Sequence, residues 1–129
     1  MKSIYAINHL KFFDRAVVTK RLEMTNIINT YLKDKNISTA LDIGTTEDLV
    51  NESSNVVIKN IKNIKIFNSI SDQKINSNFF TKVLKKSITD NFTENEIKDM
   101  ISDVSISNAT IEHVGSEENQ IKMIHNMLK

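Results

Sequence analysis

Residues 39–44 read Thr-Ala-Leu-Asp-Ile-Gly and run into Thr45 and Thr46. A compact apolar run that stops at a glycine predicts a buried strand meeting a turn, the kind of strand a parallel sheet buries on both faces. A polar connector, Lys33 to Ser38, leads into it. Downstream, Glu52 to Ile64 places Val56, Val57, Ile61 and Ile64 at helical spacing, with Ser53 or Ser54 able to cap the start. A helix there would return the chain for a second parallel strand, which Lys65 to Ile70 (KIFNSI) supplies, followed by a turn at SDQK.

The same reading extends to both sides. Upstream, residues 8–33 carry Leu10, Phe13, Val17, Met24, Ile27, Ile28 and Tyr31 at roughly a 3.6 period, with Lys11, Arg15, Lys20, Arg21 and Glu23 between them. They predict a long amphipathic helix, in one piece or two, packed on its own domain. Residues 75–83 fit helix or loop, and Val83 to Thr89 predicts a short third strand. Thr93 with Glu96 three positions on forms a capping box opening a helix through Ile97, Met100 and Ile101. DVSISNA, residues 103–109, predicts a fourth strand, and Ile121, Ile124, Met127 and Leu128 stripe a terminal helix that starts near Ser116. Strands alternating with helices define an α/β class: a Rossmann-like, open, mostly parallel sheet of about four strands with helices on both faces. No repeat or linker interrupts residues 1–129, which form one unit: the helix at 8–33 and a candidate cofactor-binding half at 39–129.

Composition narrows the function. Lys and Arg number 17 against 16 Asp and Glu, a net charge of +1, so no global field draws in nucleic acid or an anionic membrane. The chain has no Cys, which excludes disulfide frameworks, thiolate metal sites and cysteine nucleophiles. Its apolar runs fall far short of the roughly 20 residues a bilayer span requires, and polar residues interrupt the start, MKSIYAINHLKFFDR, where a secretory signal needs an apolar stretch. These features predict a soluble, cytoplasmic protein. Ile, Lys and Asn dominate the composition, as A+T-rich codons produce, while Pro is absent and Gly44 and Gly115 are the two glycines. Each glycine therefore marks a place where the main chain needs positive φ or a close approach.

The chemistry concentrates at two stretches. Asp42, Ile43, Gly44, Thr45 and Thr46 stand where the first strand ends, the place where open α/β sheets bind ligands. Asp42 can accept hydrogen bonds from an amino or hydroxyl group, and Gly44 allows a sharp turn; a plain structural turn is the competing reading. The second stretch, SISNATIEHVG at 105–115, is a strand running into Glu112 and His113, then an apolar residue, a glycine and the last helix.

Together, ALDIGTT and SISNATIEHVG resemble the class I S-adenosylmethionine-dependent methyltransferases over roughly residues 20–129. That family's first strand ends in an acidic residue and a Gly-rich loop, and its fourth strand leads to a stretch that commonly ends in Glu-His and an aliphatic residue. The resemblance implies S-adenosyl-L-methionine as cofactor. It places Asp42 and Gly44 beside the methionine part, Thr45 and Thr46 along the loop, and FNSISDQ at the ribose, where Ser69 occupies the family's acidic position and Asp72 follows three residues on. Ser87 and Ile88 would flank the adenine, and Asn108 and Ala109 would open into the active cleft. Thr46 and Asp48 stand where the family's loop continues with glycines, and Ser87, with Asp90 nearby, where it has an acidic residue after the third strand. The family sheet has seven strands, and the resemblance reaches the helix after the fourth.

On this reading the reaction is methyl transfer to a small-molecule acceptor, and His113 is the candidate base for an acceptor that must lose a proton. His9 and His125 have no second ligand at a metal-binding spacing. Glu117 and Glu118 complement the start of the last helix, and Lys85 and Lys86 fit a solvated face. The competing class is a degenerate, non-catalytic copy that pairs its open sheet edge with a protein partner or with itself. A nicotinamide-dependent oxidoreductase would need Gly-x-Gly-x-x-Gly, which LDIGTTEDL lacks.

Overall fold

A computed structural model describes residues 4–46, 55–75 and 78–129, with side chains from residue 15 onward. Four strands, β1 (Thr39–Ile43), β2 (Ile66–Ser71), β3 (Lys82–Lys85) and β4 (Val104–Ser107), form one open sheet in the order β3-β2-β1-β4. Every pairing is parallel, with Asp42 opposite Ser69 on one side of β1 and opposite Ile106 on the other. The helices are α1 (Ile4–Lys33), α2 (Val56–Asn60), α3 (Glu94–Met100) and α4 (Glu117–Met127), with a 3-10 turn at Ile111–His113. The architecture is α/β and Rossmann-like. Strand order reverses direction at β1, which has β2 on one side and β4 on the other.

Alternation along the strands divides the core in two. Ala40, Phe67 and Ile106 meet Ile58 of α2 on one face. Leu41, Ile43 and Ile70 meet Met100 of α3 and Met123 of α4 on the other. On the first face Asn29 of α1 donates to the Asn60 carbonyl at 2.9 Å and accepts from the Lys62 amide at 2.9 Å, locking α1 to the end of α2. The β2–β3 crossover has no helix among the described residues; instead Phe80 packs edge-on against Phe67 at 5.5 Å and Phe79 against Phe80 at 5.1 Å. Thr81 fixes that cover by donating its amide to the Phe67 carbonyl at 2.7 Å.

Several expected boundaries shift for local reasons. The helix expected over 52–64 is observed at Val56–Asn60, because Ile61 turns extended and Asn63 takes a φ of 68°; Ser53 and Ser54 lie outside the described residues. The third strand occupies Lys82–Lys85 rather than 83–89. Its end is set by Asp90, whose carboxylate accepts from the Ser87 amide at 3.0 Å, a side-chain turn that competes with the ladder. Part of the stripe expected on α1 faces outward: Ile27 and Tyr31 are 70% and 66% exposed while Thr25 and Leu32 are buried; Val17 and Ile28 are half-buried, and the side chains of Leu10 and Phe13 lie outside the described residues. On α4 Met123 is the buried side chain, and Ile121, Ile124 and Leu128 face outward. The capping box on α3 forms in both directions, with Glu96 donating its amide to Thr93 and accepting the Thr93 amide. No helix among the described residues is long and apolar enough to cross a membrane.

Candidate functional site

A cleft of about 530 Å³ opens at the carboxyl ends of the strands where β1 meets β4, the place where open α/β sheets bind ligands. Its volume lies within the range typical of small-molecule sites. Asp42, Gly44, Thr45, Thr46, Asp72, Ser87, Ile88, Asn108, Ala109 and His113 all line it, together with Arg21, Ser71 and Thr110. Ser69 does not line it. Its side chain is fully buried, and its hydroxyl donates to Asp42 Oδ2 at 3.2 Å. Register places Ser69, expected at the ribose, beside Asp42 on the inner face, with its hydroxyl on that carboxylate.

Asp42 is 3% exposed, and Thr45 also donates its hydroxyl to Oδ2. Burial pushes the Asp42 carboxyl up to about 6, opposed by hydrogen bonds from the Thr45 and Ser69 hydroxyls and from the backbone. The charged form is penalised by desolvation and partly rescued by donors. The network extends outward: Ser71 donates to the Thr45 carbonyl at 2.7 Å and accepts from the Gln73 amide at 3.1 Å. One serine thus joins the loop after β1 to the loop after β2.

Gly44 carries a φ of +88°, the left-handed region where a side chain is strained. Its missing side chain has a second reason. A Cβ there would lie 2.2 Å from Thr110 Oγ1 and 2.4 Å from Thr110 Cγ2. Thr110 sits against the glycine and donates to the Ile43 carbonyl at 3.0 Å. The close approach expected at Gly44 is therefore made by the chain itself. It clamps the loop after β4 onto the end of β1. Beside it Ala109 has a φ of 57°, a conformation an alanine adopts only where its surroundings hold it.

The far wall is built from the loop after β3. Asn126 of α4 donates to the Ile88 and Asp90 carbonyls at 2.7 and 3.1 Å, so a helix on the opposite face holds Ser87 and Ile88 in position. Lys86, expected on a solvated face, lines the cleft with its ammonium on both Glu96 oxygens, at 3.0 and 2.9 Å. The backbone amide of Thr93, with Lys86 second, holds the Glu96 carboxyl below its ordinary range. Arg21 reaches the cleft from α1 and makes no side-chain hydrogen bond or ion pair among the described residues. His113 is exposed at the mouth. The described residues hold no cluster of His, Cys, Asp or Glu able to bind a metal ion.

Sequence reasoning missed Arg21, Ser71, Thr110 and Asn126. Arg21 left a signal: it is one of two arginines in a chain with abundant lysine. Ser71 follows from strand alternation, two residues beyond Ser69. Thr110 and Asn126 act across long sequence separations and leave none. No protein-family model, curated protein or solved structure matches the chain, so the cleft's own chemistry bears the functional reading.

Proposed function

We propose that the chain is a cytoplasmic S-adenosylmethionine-dependent methyltransferase acting on a small-molecule acceptor. The observation that supports this most is the meeting of the two resembling stretches, Asp42–Gly44 and Asn108–His113, in one cleft, joined by the Thr110 hydrogen bond to Ile43. The donor set fits the cofactor's parts. Arg21 offers a planar cation for a carboxylate. Asp72 would offer acceptors to a ribose, and Ile88 with Ile70 and Val114 would give apolar wall to a purine. When bound, the cofactor supplies a methyl group already activated on a sulfonium.

What the protein adds is alignment and exclusion of water. The loops after β1 and β4 hold the acceptor's entrance, and His113 at the mouth takes a proton from an acceptor that must lose one. Isothermal titration of the chain with S-adenosylmethionine and S-adenosylhomocysteine tests the reading. Saturable binding of both is expected, with affinity about tenfold lower in Arg21→Gln, roughly one charge-assisted hydrogen bond. No heat and no thermal stabilisation at millimolar ligand sinks it.

One feature favours a second reading, a partner-binding protein. Among the described residues β4 pairs on one side alone, and α4 beside it turns Ile121, Ile124 and Leu128 outward. Light scattering across a hundredfold dilution separates the two: concentration-dependent association without cofactor binding supports the partner role.

A further inference from the structure

At the amino-terminal end of the sheet, opposite the cleft, a pocket of about 250 Å³ lies between the connector 34–38 and the loop 61–65. Four lysines line it: Lys33, Lys35, Lys62 and Lys65, and no acidic side chain does. All four are exposed. Lys33, Lys62 and Lys65 make no ion pair or side-chain hydrogen bond among the described residues, and Lys35 rests over the Tyr31 ring at 4.5 Å. Asp103, which borders the connector, has its carboxylate committed to the Ser38 and Thr39 amides at 2.9 Å each.

Two structural explanations for the lysines fall short. The carboxyl end of α1 carries about half a negative charge, and one basic residue, Lys33, answers it; four cations exceed that by far. Lysine abundance accounts for scattered lysines, yet here residues from two loops converge on one concavity. Asn63 in the same pocket holds a φ of 68°, a conformation Asn tolerates at some cost. It turns the loop so that Lys62 and Lys65 flank the same space.

We infer that this pocket binds a compact, multiply charged phosphate compound of diphosphate or triphosphate size. Charge and space set the size: four ammonium groups around about 250 Å³ match a compact polyanion of two or three phosphoryl groups. Ammonium groups act as point charges toward phosphate oxygens without demanding one geometry. A polymeric nucleic acid is disfavoured because the chain's net charge is +1 and the lysines gather in a hollow rather than along a track. This inference stands apart from the reading of the cleft.

Titration calorimetry of the whole chain with inorganic tripolyphosphate and with orthophosphate tests it at low and moderate salt. Tripolyphosphate is expected to bind more tightly than orthophosphate and to weaken as salt rises. In the triple variant Lys33→Gln, Lys62→Gln, Lys65→Gln the affinity is expected to fall at least tenfold. The charge-conserving Lys→Arg triple retains it, as do Arg21→Gln and a charge-matched control, Lys74→Gln, Lys98→Gln, Lys122→Gln. Absence of binding by the native chain overturns the inference, as does equal loss in the matched control. So does tighter binding of a single-stranded RNA 12-mer that the same lysine triple abolishes.

Discussion

The two ends of the sheet solve opposite problems, with side chains drawn from different segments of the chain. At the carboxyl end the buried and half-buried polar groups are committed to one another: Asp42 to Thr45 and Ser69, Ser71 to Thr45, Thr110 to Ile43, Lys86 to Glu96. At the amino end Lys33, Lys62 and Lys65 stand exposed around a hollow with no such commitments among the described residues. A committed group is buried, desolvated and held in one geometry, so altering it disturbs folding. An uncommitted charge is solvated, and altering it changes the field and little else. The difference separates positioned chemistry from electrostatic attraction.

The sharpest way to break that contrast is Gly44→Ala. The new methyl meets Thr110 at 2.2 Å and the backbone φ of +88° strains any side chain, so a loss of about 3 kcal/mol or more is expected in urea unfolding. Pairing it with Thr110→Gly recovers the part due to the clash and leaves the part due to φ. Full native stability in Gly44→Ala alone would show that the clamp is soft.

Asp42 gives an effect of similar kind and a definite sign. Its carboxyl titrates near 6 when folded against an ordinary value of 3.8, so the folded chain holds the proton more tightly. Its contribution to stability is complete below pH about 4 and is lost as pH rises through about 6. A pKa difference of about 2 amounts to roughly 3 kcal/mol. Urea midpoints measured from pH 4 to 7 should decline for the native chain and flatten in Asp42→Asn. At the other end, Lys62→Gln and Lys65→Gln should each leave stability within about 0.5 kcal/mol, measured by the same unfolding curves at pH 7.

The parts of the molecule written locally in the chain were legible from sequence. TALDIG gave a strand ending at a positive-φ glycine, and Thr93 with Glu96 gave a capping box that forms as expected. Ser116 caps α4 by accepting the Asn119 amide at 3.4 Å. The placement of Asp42 and Asn108 in one cleft was also legible, because strand order in α/β sheets follows few rules. What escaped was decided across the fold. Which side of α1 is buried depends on Asn29 reaching Asn60 and Lys62, so Thr25 and Leu32 go inward while Ile27 and Tyr31 do not. Ser69 looked like a ligand contact in sequence, but the parallel register with β1 turns it to Asp42.

The Ser71 hydroxyl, bonded to the Thr45 carbonyl on one side and the Gln73 amide on the other, acts as a shared latch. Neither rim segment can swing outward without tugging the other. Two backbone groups from different loops are thereby tied to one hydroxyl, so Ser71→Ala would release both rims of the cleft with a single substitution.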